Sequence, residues 1–121
     1  MNESPKVPQL VASTAELTTS ESGGGAQWTL DDPARQLDAN LIRLMPLQQI
    51  EEHGGPDLDV LIHVVGGSGS LSTDDGRINL VAGAVVWLPH RSRRGFGAGP
   101  DGLSYLSVHV RRPGLSVGRR A

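Results

Sequence analysis

The sequence has no cysteine, few aromatic residues and no long apolar run. Without cysteine, a disulfide framework, a thiolate zinc site and a cysteine nucleophile are excluded. The two Trp, one Tyr and one Phe among 121 residues predict a light core within a single domain. No stretch approaches the ~20 apolar residues of a membrane span, and MNESPKVPQL lacks the apolar segment of a secretory signal. We therefore expect a cytoplasmic protein without a membrane partner.

Charge is divided unevenly along the chain, although the net charge is only −2. Residues 1–90 carry a balance of −8, whereas residues 91–121, with seven arginines against Asp101 alone, carry +6. Such asymmetry indicates either an anionic partner or two halves that neutralise each other in the fold, and we favour the second. Nucleic acid is not expected as a partner, because the arginines have almost no aromatic neighbours and no DNA-binding motif is present.

Short apolar runs separated by turn residues fill the chain from residue 27 onward, a pattern typical of all-β proteins. Residues 1–25 are predicted to form a flexible N-terminal segment with a short helix between residues 9 and 17. A β-barrel is predicted over residues 26–115, followed by a tail over 116–121. About nine strands are expected, over residues 27–30, 37–45, 48–53, 60–65, 68–72, 78–81, 84–88, 93–97 and 103–110.

Two of these strands, VLIHVV at residues 60–65 and AVVWL at residues 84–88, are almost wholly apolar. Within the first, His63 is opposite in phase to its apolar neighbours and is predicted on the outer face. A small barrel has one inside, so the other apolar face requires a second sheet or a partner subunit. We therefore predict a jelly roll that forms a homodimer.

Two segments resemble the motifs of the cupin superfamily of small β-barrels. The first family motif, G-x5-H-x-H-x3-4-E-x6-G, corresponds to residues 47–67, and the second, G-x5-P-x-G-x2-H-x3-N, corresponds to residues 83–98. The resemblance covers roughly residues 35–115 and implies a cupin-like jelly-roll β-barrel, or double-stranded β-helix. It also implies a divalent metal ion near His53, because the motif histidines and glutamate hold such an ion in this family.

Most of the ligand positions in these motifs are changed here. His53 matches the first histidine, but Gly55 stands at the second. The glutamate position falls on Asp59 or Val60, depending on the gap, and the strand phase favours Val60. Arg94 stands at the histidine of the second motif, and a guanidinium cannot be a metal ligand. We therefore expect the family metal site to be absent and no cofactor to be bound.

Three classes of function remain open. The favoured one is a non-enzymatic binding or sensing module for a small anionic molecule, with His53, Asp59, Arg94 and His109 as the binding residues. The alternative is a metal-dependent dioxygenase or isomerase with a non-standard ligand set taken from His53, His109 and Asp59. The third is a structural partner subunit without a ligand.

An inward-pointing Arg94 needs a counter-charge, because an unpaired buried charge is costly. The counter-charge would be either an anionic ligand or a carboxylate of Glu51, Glu52, Asp57 or Asp59. The neighbouring Arg91 and Arg93 are expected to form a basic rim with ion pairs to Glu51 and Glu52.

Overall fold

A computed structural model describes residues 7–18 and 23–112 of the chain. Residues 1–6 and 19–22 of the predicted flexible N-terminal segment, the last three residues of the predicted barrel (113–115) and the predicted tail over 116–121 lie outside the described residues. The described part contains one helix, which has five residues and is too short to cross a membrane, and seven strands. Their bounds are α1 Thr14–Thr18, β1 Gly25–Thr29, β2 Leu37–Leu44, β3 Gln49–Gly54, β4 Val60–Thr73, β5 Gly76–Val81, β6 Val85–Leu88 and β7 Arg93–Val110.

The seven strands pair antiparallel around the two long strands β4 and β7. The first part of β4 pairs with β6 and with the last part of β7, which also pairs with β2, and β1 flanks β2. The last part of β4 pairs with β5 and with the first part of β7, which also pairs with β3. The two long strands therefore run through both layers of a jelly roll, and the predicted all-β class is confirmed.

The nine predicted strands are observed as seven, because two pairs of them are continuous. Residues 60–65 and 68–72 form the single strand β4, and residues 93–97 and 103–110 form β7. Gly66 and Gly67 shift the β4 ladder by bulges instead of ending it. Gly67 has a φ of 72°, and a Cβ there would lie 2.1 Å from the carbonyl oxygen of Gly102. Glycine is required at this crossing because no larger residue fits.

The core lies between the two layers and draws apolar side chains from both. Its buried members are Leu44, Val60, Ile62, Val64, Leu71, Leu80, Leu88, Phe96, Ala98, Leu103 and Tyr105. In β4, Val60, Ile62 and Val64 are buried whereas Leu61 and His63 are exposed, so the predicted outward direction of His63 is confirmed. The rings of Phe96 and Tyr105 stack with their centroids 5.2 Å apart. Arg94 is the one charged residue buried in the described part of the chain.

Candidate functional site

A cavity of about 290 Å³ opens inside the barrel, lined by strands of both layers. It brings together His53 from β3 with Arg94 and His109 from β7, three of the four residues predicted for the site. Its remaining lining residues are Ile50, Pro56, Val60, Ile62, Leu88, Phe96, Tyr105 and Ser107. Larger pockets exist elsewhere in the described part of the chain, but this cavity is the one whose wall includes the buried charge.

Arg94 points inward, the condition under which a counter-charge is required for it, and is 4% exposed. Its Nη2 donates hydrogen bonds to Ser92 Oγ at 2.9 Å and to the carbonyl oxygen of Pro89 at 3.2 Å. Its Nε is buried without a hydrogen-bond partner, and no carboxylate of the described residues lies within 4 Å of the guanidinium. Burial lowers the pKa of Arg94, but a guanidinium stays protonated in proteins. The cavity wall therefore carries a permanent positive charge that the described carboxylates do not balance.

Gly55 provides the space that this guanidinium occupies. A Cβ at residue 55 would lie 1.8 Å from Nη1 and 2.3 Å from Cζ of Arg94, closer than any real contact. The second motif histidine would stand at this same position. The two departures from the family motif are therefore complementary, because the arginine fills the volume that the glycine leaves open.

His53 and His109 each hold Nδ1 against a backbone carbonyl oxygen. The Nδ1 of His53 lies 3.0 Å from the carbonyl oxygen of Glu51, and the Nδ1 of His109 lies 3.0 Å from that of Val110. Because a carbonyl oxygen only accepts, Nδ1 carries the proton in both rings. In this tautomer, Nε2 is the hydrogen-bond acceptor of each ring.

Tyr105 and Ser107 also line the cavity, although sequence reasoning did not single them out as binding residues. Burial raises the pKa of Tyr105 to about 12, so its hydroxyl is neutral and can donate a hydrogen bond. That hydroxyl has no hydrogen-bond partner among the residues that the structure describes. The signal in the sequence was the period-two alternation of β7, which places both residues on the same face as His109.

The structure separates Asp59 from the other three predicted residues. Its Oδ1 accepts hydrogen bonds from His90, from the backbone N at 2.8 Å and from Nδ1 at 2.9 Å, and it does not line the cavity. Hydrogen bonds from the His90 side chain, the His90 backbone and Trp87 lower the pKa of Asp59. The carboxylate of Asp59 therefore stabilises the turn between β6 and β7 at the rim and contributes nothing to the cavity wall.

The other carboxylates predicted to pair with Arg94 do not form an ion pair with it, and two of them, Glu52 and Asp57, pair with neighbouring arginines at the rim. Arg93 Nε lies 3.8 Å from a carboxylate oxygen of Glu52, as the basic-rim prediction required. Arg91, in contrast, pairs with Asp57 at 3.3 Å. All four of these side chains are exposed, so the pairs are screened by water and contribute about 0–1 kcal/mol each.

The residues present do not fit the metal site that the cupin resemblance implies. Val60 faces inward at the glutamate position, Gly55 offers no donor atom, and Arg94 repels a cation. Within residues 7–18 and 23–112, no three His, Asp or Glu side chains are grouped closely enough to hold a metal ion. His53 and His109 are thus two imidazoles without the carboxylate or third imidazole that such a site needs.

No protein-family model and no curated protein matches the sequence. Solved structures do match the fold. A cupin-2 domain containing protein from Shewanella frigidimarina superposes with a TM-score of 0.64 at 13% identity, over 81% of this chain and 91% of its own. The polyketide cyclase RemF from Streptomyces resistomycificus gives 0.61 at 24% identity, over 75% and 71%. A sugar phosphate isomerase from the cupin superfamily, from Silicibacter pomeroyi, gives 0.57 at 23% identity, over 67% and 54%.

This chain has the fold of the cupin superfamily, and the fold predicted from its two motifs is confirmed. At these identities the likeness concerns the fold alone. The neighbours have different activities by name, so the function has to be argued from the cavity itself.

Proposed function

We propose that this chain is a small-molecule binding module whose cavity takes an anionic ligand on Arg94, without catalysing a reaction. The observation that carries the proposal is a guanidinium, 4% exposed, in the cavity wall with neutral acceptors on Nη2 and no described carboxylate within 4 Å. The geometry thus favours an anionic ligand over an internal ion pair as the counter-charge.

A bound anion would give the Arg94 guanidinium the counter-charge that the described carboxylates do not provide. A buried charge without a partner costs several kcal/mol, whereas hydrogen bonds between a guanidinium and a carboxylate or phosphate are among the strongest in proteins. The side chains of His53 and His109 line the same cavity and add polar ring nitrogens to it. No carboxylate of the described residues lines the cavity, so a bound anion meets no repelling charge from them on its walls.

The proposal has no catalytic step because the cavity lining contains neither paired carboxylates nor a nucleophile held by a base. The isomerase and the cyclase among the structural neighbours are enzymes by name, and the proposed function of this chain is not taken from them. We further propose that the protein acts in the cytoplasm, as its composition predicts.

Thermal unfolding with a panel of anions tests the proposal. Sodium benzoate, acetate and phosphate are added to the unmodified protein, to Arg94→Met and to Arg93→Met, an exposed arginine beside Arg94 that serves as the control. Any anion present at ten times its Kd should raise Tm by roughly 5–10 °C in the unmodified protein and in Arg93→Met. Arg94→Met should show no rise.

Two results would overturn this function. An equal rise in Arg94→Met, or no rise with any anion, would show that Arg94 does not bind anions. About one equivalent of tightly held iron, manganese, nickel or zinc, lost in His53→Ala, would instead favour the metal-dependent enzyme.

A further inference from the structure

We infer that the ligand is a small monocarboxylic acid with a compact apolar body, and that sugars, sugar phosphates and polyanions are excluded. This inference rests on the proposed anion site at Arg94 and assigns the class of molecule that the site accepts. Three properties of the cavity support it: the chemistry of its walls, the number of its fixed charges and its volume.

The walls are predominantly apolar. The apolar lining comprises Ile50, Pro56, Val60, Ile62, Leu88, Phe96 and the ring of Tyr105. Only His53, Arg94, Ser107, His109 and the Tyr105 hydroxyl offer polar atoms. A sugar would bring several hydroxyl groups against side chains that cannot bond them, and each unpaired buried hydroxyl weakens binding. An alkyl or aryl body instead gains from the same walls.

The fixed charge of the cavity matches one negative charge. Among the described residues, Arg94 is the single permanent cation of the cavity. Its Nη2 is already bonded to Ser92 and Pro89 and its Nε is buried, which leaves Nη1 as the donor for a ligand. A carboxylate is therefore balanced by Arg94, whereas a phosphate dianion is not.

The volume of about 290 Å³ limits the size of the ligand. Pockets for drug-sized molecules span roughly 300–1,000 Å³, so this cavity lies at the bottom of that range. A molecule the size of benzoic acid fits within such a volume. The rings of Phe96 and Tyr105, which stack on each other, form part of the apolar wall against which such a body would pack.

Calorimetric titration at pH 7 with five probes tests this ligand class: benzoate, cyclohexanecarboxylate, acetate, glucose 6-phosphate and inorganic phosphate. We expect benzoate and cyclohexanecarboxylate to bind at least tenfold more tightly than acetate, because only they fill the apolar walls. Glucose 6-phosphate and phosphate should bind no more tightly than acetate.

A wall variant separates the apolar contribution from the charge. Ile50→Ala should weaken benzoate binding by about five- to tenfold and leave acetate binding unchanged, since acetate has no body to contact Ile50. Ile78→Ala, at an exposed isoleucine outside the cavity, is the matched control and should change neither. If Ile50→Ala does not fold, Ile50→Val provides the same comparison with a smaller effect.

The outcomes separate the ligand class from the anion site itself. Glucose 6-phosphate or phosphate binding more tightly than benzoate, with the binding lost in Arg94→Met, would overturn the ligand class and leave the anion site standing. Equal affinity for benzoate and acetate would also overturn the class. No binding of any probe, together with no effect of Arg94→Met, would overturn both.

Discussion

Arg94 occupies the space that a side chain at residue 55 would need. A Cβ at Gly55 would lie 1.8 Å from Nη1 of Arg94, whose guanidinium is held by Ser92 and Pro89. The two residues lie on neighbouring segments of the rim, where Gly55 N donates to the carbonyl oxygen of Ser92 at 2.9 Å. The glycine and the arginine therefore act as a pair that replaces two histidine positions of the cupin motifs.

Gly55→Ala should displace the guanidinium and break its hydrogen bonds to Ser92 and Pro89. Overpacking of this kind costs about 1–3 kcal/mol in the free energy of unfolding, and the anion-induced rise in Tm should be lost with it. Gly54→Ala is the control, because a Cβ at residue 54 has no atom within 4 Å. Urea denaturation of the two variants measures the difference, and equal stability would place the guanidinium elsewhere.

Arg94→Met should leave the free energy of unfolding within about 1 kcal/mol of the unmodified protein. The substitution removes hydrogen bonds to neutral acceptors, but it also removes a buried charge whose desolvation opposes folding. The comparison is made by urea denaturation without added anions, beside Arg93→Met. A loss of about 3 kcal/mol or more would indicate a buried carboxylate left without its partner.

Asp59→Asn should destabilise the protein at neutral pH and have a smaller effect in acid. The pKa of Asp59 is lowered in the folded state, first by the hydrogen bond from the His90 side chain, so its ionised form stabilises the fold. This contribution is present above ~3.9, the pKa of an unfolded aspartate, and is lost as pH falls through the lower folded-state pKa.

Stability curves against pH for Asp59→Asn and for the control Asp101→Asn, at another exposed aspartate, measure this effect. The Asp59→Asn curve should meet that of the unmodified protein as Asp59 becomes protonated in acid. A constant gap between the two curves across the acid range would contradict the role of the ionised carboxylate.

The prediction of a homodimer is based on the exposed apolar face of β4 and β6. Leu61 pairs with Trp87 across these strands, and His63 pairs with Val85, with Leu61, Trp87 and Val85 largely exposed. Sedimentation velocity should show a dimer that Val85→Glu converts to a monomer, because a charge would be buried at the contact. Val81→Glu, on β5 and 58% exposed against 61% for Val85, should remain dimeric. A monomeric unmodified protein would contradict the prediction.

The fold was predictable because it follows from local sequence patterns, namely the alternation of apolar residues within strands and the turn residues between them. The alternation in VLIHVV predicted the inward residues of β4 and the outward His63, whereas the direction of Arg94 was left open until the structure showed it buried. The Gly66–Gly67 pair was interpreted as a strand end, since glycines mark turns locally. The partner strand β7 continues the ladder past both residues, which no local pattern shows.

The site was predictable only in part. His53, Arg94 and His109 meet at the cavity because each lies at a definite phase of a strand. Asp59, in contrast, is fixed by a hydrogen bond to His90, 31 residues further along the chain, and this contact has no periodicity to reveal it. Arg94 and Gly55 likewise meet across distant segments of the chain. The sequence therefore showed that both motif positions are changed, but not that the arginine fills the space at the glycine.

The proton–nitrogen NMR signal of the Arg94 Nε–H group shows whether the buried guanidinium holds the ligand. This group is buried without a partner, and its signal is identified by its absence from the spectrum of Arg94→Met. On titration with benzoate, we expect a saturable shift of the Arg94 Nε–H signal, whereas the Nε–H signal of the exposed Arg93 should stay unchanged. An Arg94 signal that stays in place while benzoate binds, or that moves only in step with Arg93, would contradict the claim that the buried guanidinium holds the ligand.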